Sequence, residues 1–127
     1  MPKESILAPD APAAVGPYVH AVKAGGLLFC SGQIPLDPET GELVGVTAAE
    51  QATQCLKNLE AVCAAAGGSM ANAVKLSVLM TDISEFVEVN EVYGQFFEGQ
   101  EPPARVAYGV SALPKGAQVE IDAVVAL

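Results

Sequence analysis

The chain has 127 residues, of which 51% are hydrophobic and 17% charged. This length and composition predict one globular domain over residues 1–127 and exclude a disordered chain. The net charge is −9, from 6 basic and 15 acidic residues, and the basic residues are scattered along the chain. Because this charge repels phosphate backbones, a nucleic-acid partner is not expected.

No apolar run is long enough to cross a membrane, and the opening segment MPKESILAPDAPAA lacks the apolar stretch of a signal peptide. We therefore expect a cytoplasmic protein with no membrane partner. Cys30, Cys55 and Cys63 are odd in number and widely spaced, which disfavours a disulfide framework or a zinc site. The sequence also lacks a P-loop, a dinucleotide-binding fingerprint and an HExxH motif, so neither a metal nor an organic cofactor is predicted.

The first half of the chain predicts two strands followed by a helix. The segment through Pro12 is rich in proline and alanine and is predicted to be irregular. GPYVHAVKAGG and LLFCSGQIP are typical of two strands joined at the Gly25-Gly26 turn. Thr47 and Glu50 then form a capping-box pattern that predicts the start of an amphipathic helix, which ends at the glycine pair of residues 67–68.

The third quarter predicts a strand and a second helix. AVKLSVLM, at residues 73–80, alternates apolar and polar side chains as a half-buried strand does. Residues 81–84 offer several helix N-cap candidates. The apolar side of the helix that follows carries Phe86, Val89, Tyr93, Phe96 and Phe97.

The last quarter, EPPARVAYGVSALPKGAQVEIDAVVAL, predicts two neighbouring strands joined by a Pro-Lys-Gly turn. Successive strand side chains point to opposite faces, so the apolar side chains of both strands are predicted to face one core. These apolar side chains are Val106, Tyr108 and Val110 on the first strand and Val119, Ile121, Ala123 and Val125 on the second. Arg105 and Glu120 then emerge together on the other face. This pair has two interpretations, a functional site or a structural ion pair between adjacent strands.

The predicted order is β-β-α-β-α-β-β, an α+β architecture in which two helices cover one face of the sheet. The other face is left open, and its predicted residues are Lys75, Ser77, Leu79, Arg105, Ala107, Gly109, Glu120, Asp122 and Val124. This partly apolar face is a poor free surface, so we infer that copies of the same chain cover it in a homo-oligomer. A site on this face then lies between subunits.

Five segments carry a family resemblance: APAAVGPYVHAV, FCSGQIPLDPETGEL, VNEVYGQFF, PPAR and LPKGAQVEIDAVVA. In this order, over about residues 8–125, they resemble the RidA/YjgF family of enamine/imine deaminases. The resemblance implies a chorismate-mutase-like α+β fold and a homotrimer with three clefts between subunits. It also implies cofactor-independent hydrolysis of reactive 2-aminoacrylate-type intermediates, 2-iminobutanoate and 2-iminopropanoate, to 2-oxo acids and ammonia.

The same resemblance implies roles for particular residues. Arg105 corresponds to the arginine that binds the substrate carboxylate, a group that a planar guanidinium holds with two parallel hydrogen bonds. Glu120 corresponds to the acid that activates water, a task for which a carboxylate near the substrate is suited. The remaining substrate-binding positions fall on Tyr18, Ser31, Gly32 and Asn90.

Two positions depart from the family pattern. Ala107 stands two residues after Arg105, where many members carry cysteine or threonine, so only its backbone is left to bind substrate. His20 stands where members often carry glutamine. Because no acidic or nucleophilic residue neighbours this histidine in sequence, it is predicted to be structural, and a Ser-His-Asp triad is not supported.

Each assignment also has an alternative in which the residue has only a structural role. Tyr18 is typical of a core or interface aromatic, and Ser31 beside Gly32 is typical of a strand-end turn. Asn90 lies on the apolar stripe of the second helix, which favours a buried amide bonded to backbone. For the whole chain, the alternatives to a deaminase are a non-catalytic module that binds a small carboxylate and a translation inhibitor or endoribonuclease. The net charge argues against the last of these.

Overall fold

The structure, a computed structural model, describes residues 2–127, and Met1 of the predicted domain lies outside them. Both helices lie on the same face of a single sheet, over a core of buried aliphatic side chains. The elements are β1 (Glu4–Ile6), β2 (Ala21–Ala24), β3 (Leu27–Gln33), α1 (Ala48–Ala65), β4 (Ala73–Met80), α2 (Phe86–Phe96), β5 (Ala104–Gly109) and β6 (Val119–Ala126). The strands form a six-stranded mixed sheet in the order β1-β2-β3-β6-β4-β5. The predicted α+β class with two helices on one face is confirmed.

The strand β1 corrects the expectation of an irregular segment through Pro12. It pairs antiparallel with β2, and Ile6 lies opposite Ala21 in this register. Both of these side chains are buried. A three-residue strand between prolines has too few alternating positions to be recognised from its pattern.

The turn at residues 25–26 and both ends of α1 are confirmed, whereas the N-cap of α2 is Glu85, outside the candidates at residues 81–84. Gly25 and Gly26 adopt φ values of 58° and 78°, the two positive values that a type I′ hairpin turn requires. The Thr47 side chain accepts a hydrogen bond from the Glu50 backbone amide, and the Glu50 carboxylate accepts one from the Thr47 backbone amide. Together they form the complete capping box of α1. Gly67 follows the helix with φ 78°, the left-handed conformation that ends many helices.

β5 and β6 are not neighbours, contrary to the predicted closing hairpin. β5 lies at the sheet edge, parallel to β4, and α2 connects these two strands. β6 lies between β3 and β4 and is antiparallel to both. A helix between two strands favours parallel pairing of those strands, whereas a short turn favours antiparallel pairing. Here the crossover through α2 decides the pairing of β5, so β4 separates the last two strands.

Arg105 and Glu120 lie on opposite faces of the sheet, which corrects the predicted polar pair. Arg105 is opposite Leu76 in the register of β4 and β5, and Leu76 is fully buried on the face that the helices cover. Glu120 is opposite Leu79, whose side chain points to the other face. Within one copy of the chain the two residues therefore neither share a face of the sheet nor form an ion pair.

β5 turns its larger apolar side chains away from the core. Val106 and Tyr108 are 40% and 51% exposed on the uncovered face, whereas the small Ala107 packs against the core. Alternation predicts which residues share a face, but the register with β4 decides which face the helices cover. The apolar residues predicted to face the core from β6 are buried: Val119, Ile121, Ala123 and Val125.

The uncovered face, called the open face below, is more apolar than predicted. Strand pairing places on it Val22, Phe29, Lys75, Ser77, Leu79, Val106, Tyr108, Glu120, Asp122 and Val124. Arg105, Ala107 and Gly109 were predicted here and lie on the helix-covered face instead. Contiguous apolar side chains on an uncovered sheet are typical of an interface. The predicted homo-oligomer therefore has a surface on which to form, and it stays a prediction.

His20 ties the segment before β2 to the sheet. Its ring is 4% exposed, and Nδ1 accepts a hydrogen bond from the Ala8 amide at 2.7 Å. Nε2 lies 2.7 Å from the Pro12 carbonyl, to which it donates. One neutral tautomer thus satisfies two buried backbone groups. This is the structural role that the sequence predicts.

Replacing His20 with alanine is expected to destabilise the protein by about 2–4 kcal/mol, since it leaves a cavity and two buried backbone groups without partners. His20→Gln keeps one donor and one acceptor, so its loss is expected to be smaller. Urea unfolding of both variants at one protein concentration measures the difference. An alanine variant as stable as the wild type would show that these two hydrogen bonds contribute nothing.

Candidate active site

Four predicted site residues line one cleft on the open face, where β3 ends and β6 begins. The cleft has a volume of about 440 Å³. Its lining residues are Val15, Tyr18, Ser31, Gly32, Ile34, Pro114 and Glu120. Residues from the loop before β2, from β3 and from β6 thus come together around one carboxylate.

An irregularity in β3 shapes this cleft. The register between β3 and β6 shifts where Ser31 and Gly32 lie. The Ser31 hydroxyl donates a hydrogen bond of 2.7 Å to the Val19 carbonyl, which fixes the side chain beside the loop. A Cβ atom at position 32 would collide with the Glu120 carboxylate. Glycine at this position therefore allows the carboxylate to approach the β3 backbone.

The Glu120 carboxyl has a stronger affinity for protons than an exposed glutamate has. Burial raises its pKa because a partly desolvated carboxylate is less stable, and the negative charge of Asp122 raises the pKa further. Both residues point to the open face from β6. A carboxylate of raised pKa is a better proton acceptor than an ordinary one, as a general base requires.

Arg105 lies on the other side of the sheet, where α2 holds its guanidinium group. Nη1 donates a hydrogen bond of 2.7 Å to Oδ1 of Asn90. The guanidinium carbon lies 5.2 Å from the centre of the Phe86 ring and 4.8 Å from that of the Tyr93 ring. Such cation–π contacts favour one orientation of the head group. Arg105 nevertheless remains exposed, so its other nitrogen atoms are available to an anion.

Asn90 is exposed and bonds to Arg105, so the expectation of a buried amide bonded to backbone is wrong. Phe86 and Tyr93 were predicted only as part of the apolar side of the helix, and their contact with Arg105 was missed. Phe86, Asn90 and Tyr93 follow i, i+4 and i+7 spacing, which places them on one helix face. The position of Asn90 between two aromatic residues on one helix face was the sequence signal that could have predicted this contact.

Ala107 shares the strand face of Arg105, two positions further along β5. It is partly buried against the core, and its methyl group supplies neither a thiol nor a hydroxyl. The predicted role of its backbone in substrate binding stays a prediction.

The predicted site residues thus fall into two groups in one copy of the chain. Tyr18, Ser31, Gly32 and Glu120 form the first group, called the acid cleft below. Arg105 and Asn90, with Ala107 nearby and the rings of α2, form the second group, called the arginine cluster. Because the groups lie on opposite faces of the sheet, a single copy does not bring them together.

The cysteines are buried, free thiols, and burial raises the pKa of Cys55. Cys55 and Cys63 lie on the buried side of α1, as the helical stripe predicts for small apolar side chains. Between residues 2 and 127 there is no cluster of three or more His, Cys, Asp or Glu side chains placed to hold a metal ion. In the same range, no helix combines the length and the apolar character needed to cross a membrane.

Known proteins resemble this chain in both sequence and fold. A family model described as Endoribonuclease L-PSP matches residues 8–127. The RutC family protein y4sK of Sinorhizobium fredii is 55% identical over 124 residues, which cover 98% of each chain. The 2-iminobutanoate/2-iminopropanoate deaminase of Homo sapiens is 49% identical over 114 residues, 90% of this chain and 82% of the human one. The solved structure of YyfA from Yersinia pestis, described as a protein of unknown function of the conserved Rid family, superposes with a TM-score of 0.96 at 42% identity, covering 99% of this chain and 100% of that one.

The chain therefore belongs to the RidA/YjgF family, which the Endoribonuclease L-PSP model describes. The family resemblance of the five sequence segments is confirmed, and so is the fold that it implied.

Proposed function

We propose that the chain is an enamine/imine deaminase that hydrolyses 2-iminopropanoate and 2-iminobutanoate to 2-oxo acids and ammonia. The observation that carries this proposal is the chemical complement of the two groups of residues. The acid cleft offers a proton acceptor in a small cavity, and the arginine cluster offers an exposed, oriented guanidinium. A 2-imino acid needs both, since it has a carboxylate beside an electrophilic carbon. The name of the human relative supports the same activity.

In the proposed reaction Arg105 binds the substrate carboxylate through two parallel hydrogen bonds and so fixes the neighbouring C2 atom. Water attacks C2, Glu120 accepts a proton from that water, and the C=N π electrons move to nitrogen. The nitrogen takes up that proton from Glu120, which gives a tetrahedral amino alcohol. Glu120 then accepts the hydroxyl proton and passes it to the amine, and the C–N bond breaks as the C=O bond forms. Ammonia and the 2-oxo acid leave. A 2-aminoacrylate enamine becomes a substrate after protonation at C3. The reaction is a hydrolysis and needs no oxidant or reductant.

The acid cleft and the arginine cluster meet in a homotrimer. The cleft lies on the open face, whose apolar side chains need a cover, and Arg105 lies on the exposed edge strand. In this assembly the β5 edge of one copy delivers Arg105, Asn90 and the backbone of Ala107 to the acid cleft of the next copy. Each site then contains residues from two subunits, and closure around a three-fold axis gives three sites.

A coupled assay on the wild-type protein tests the proposal. A dehydratase generates 2-iminobutanoate from threonine, and the rate of 2-oxobutanoate formation is compared with that in an equal concentration of serum albumin. We expect the chain to accelerate formation well above the spontaneous rate. No acceleration, together with binding of 2-oxobutanoate, would instead favour a non-catalytic carboxylate-binding module. Cleavage of RNA is not expected, given the net charge of −9.

The pH dependence of the reaction is expected to report on Asp122. Glu120 acts as a base, so activity is lost as the pH falls through its raised pKa. Asp122→Asn removes one cause of that raised pKa, so the acidic limb of the kcat/KM profile is expected to move to lower pH. Glu98→Gln, which removes an equal charge from an exposed loop position, serves as the control and should leave the limb in place. A limb that is unchanged in Asp122→Asn would contradict the assignment of Glu120 as the base.

A further inference from the structure

A second, narrower cavity of about 140 Å³ adjoins the acid cleft. The two cavities share Val15, Tyr18, Gly32, Ile34 and Pro114, so they lie side by side. The narrower part, called the side cavity below, is also lined by Pro12, Ala13, Gln33, Leu36 and Lys115. A substrate whose C2 atom lies near Glu120 can extend into it, and none of the proposed chemical steps uses it.

The wall of the side cavity is mostly apolar, and Gln33 and Lys115 contribute polar groups to it. Proline, valine, isoleucine and leucine side chains supply the apolar part. Gln33 is 5% exposed and lines the side cavity, and its side-chain amide is not among the buried polar groups that lack a hydrogen-bond partner within residues 2–127. A side-chain amide on the cavity wall can donate a hydrogen bond to a polar ligand atom or to an ordered water molecule.

Lys115 adds a positive charge to this wall in an unusual backbone conformation. Its φ is 59° and its ψ is 20°, and Gly116 follows with φ 72°. Among residues 2–127, Lys115 is the one non-glycine residue with positive φ. The left-handed conformation is unfavourable for a side chain of this kind, and glycine or asparagine would adopt it more readily. Strained residues of this type are concentrated at ligand sites.

We propose that the side cavity is a specificity subsite for 2-imino acids whose side chain ends in a carboxylate. This proposal rests on the deaminase function proposed above. The apolar wall contacts the methylene groups of such a side chain, the Gln33 amide donates to its terminal carboxylate, and Lys115 supplies the balancing charge. The substrate is thus held at both ends, by Arg105 at the carboxylate beside C2 and by Lys115 at the distal one.

The size of the side cavity fits this class of substrate. An apolar cavity of about 150 Å³ holds a benzene ring, so about 140 Å³ accommodates a side chain of about five heavy atoms. The methyl and ethyl side chains of the smallest 2-imino acids leave most of this space unfilled. A longer side chain without a charge fills the space but offers the Gln33 amide no polar atom.

Binding of stable 2-oxo acids tests the proposal, since each carries C=O in place of the reactive C=N bond. Calorimetric Kd values are measured for 2-oxoglutarate, for 2-oxohexanoate of similar length without the charge, and for 2-oxobutanoate. We expect 2-oxoglutarate to bind about tenfold more tightly than 2-oxohexanoate. Lys115→Asn, which suits the left-handed backbone, is expected to abolish this preference without loss of stability. Lys57→Gln, which removes an exposed helix charge, is the matched control and should keep it.

Equal binding of 2-oxoglutarate and 2-oxohexanoate, tighter binding of 2-oxohexanoate, or a preference that survives in Lys115→Asn would each overturn the proposal. In these cases hydrolysis of 2-iminobutanoate would remain, so the deaminase function would stand and only the subsite would fail. Failure of all three 2-oxo acids to bind, together with no acceleration of imine hydrolysis, would overturn both proposals.

Discussion

Arg105→Ala is expected to lower kcat/KM for 2-iminobutanoate by about 100-fold, because the variant loses the one group placed to bind the substrate carboxylate through two hydrogen bonds. The fold is expected to survive. Arg105 is exposed at the sheet edge and is not part of the buried core, so its loss leaves the packing of α2 on the sheet in place. Steady-state kinetics with the coupled assay measure the loss, and circular dichroism with thermal unfolding checks the fold.

Arg105→Lys separates charge from geometry. Lysine keeps the positive charge but cannot donate two parallel hydrogen bonds in a planar fork, so we expect it to recover only part of the lost activity. Lys57→Gln removes a positive charge on the far surface of α1 and is expected to behave as the wild type. If Arg105→Ala retained wild-type kinetics, the carboxylate would have to bind elsewhere, and the arginine cluster would be merely structural.

Glu120→Gln is expected to reduce kcat by about 100- to 10,000-fold, the contribution that a positioned general base usually makes. The amide has nearly the same shape but cannot accept the proton, while Arg105 still binds the substrate, so KM is expected to change little. At neutral pH the variant is expected to be at least as stable as the wild type. The raised pKa of Glu120 means that folding favours its protonated form, so the ionised form costs stability above that pKa. Single-turnover rates and thermal unfolding measure the two effects.

Mixing the two inactive variants distinguishes a shared site from one within a single subunit. If each site takes Arg105 from one copy and Glu120 from the next, trimers refolded from equal amounts of Arg105→Ala and Glu120→Gln contain intact sites at roughly one quarter of the positions. About that fraction of wild-type activity is expected to return. No return of activity in a mixture shown to contain mixed trimers would contradict the shared site.

The sequence predicts elements well where the signal is local. The glycine pair at residues 25–26 and the capping box of α1 depend on backbone conformation and hydrogen bonds within a few residues, so the pattern contains them. The order of the strands depends instead on which long-range pairs form. The turn at Pro114 favoured a hairpin, whereas the crossover through α2 placed β5 beside β4. No local pattern decides between these two.

The candidate site shows the same limit. Family resemblance selected Arg105 and Glu120, but the alternation of residues placed them on the same face of the sheet. Only the register with Leu76 and Leu79 shows that they lie on opposite faces. The prediction of a site between subunits therefore rests on an incorrect set of open-face residues, and it stays a prediction. The corrected set favours it more strongly, because Val106 and Tyr108 add exposed apolar surface to the open face.

The position of β6 affects how the chain folds during synthesis. β6 is the last strand along the described residues, yet it lies between β3 and β4 and is paired on both sides. Until β6 has left the ribosome, the edges of β3 and β4 that pair with it are unpaired. Such edges are prone to pair with other chains. The complete sheet therefore needs β6, and the pairing of β6 with β3 joins residues far apart in sequence, a feature that slows folding.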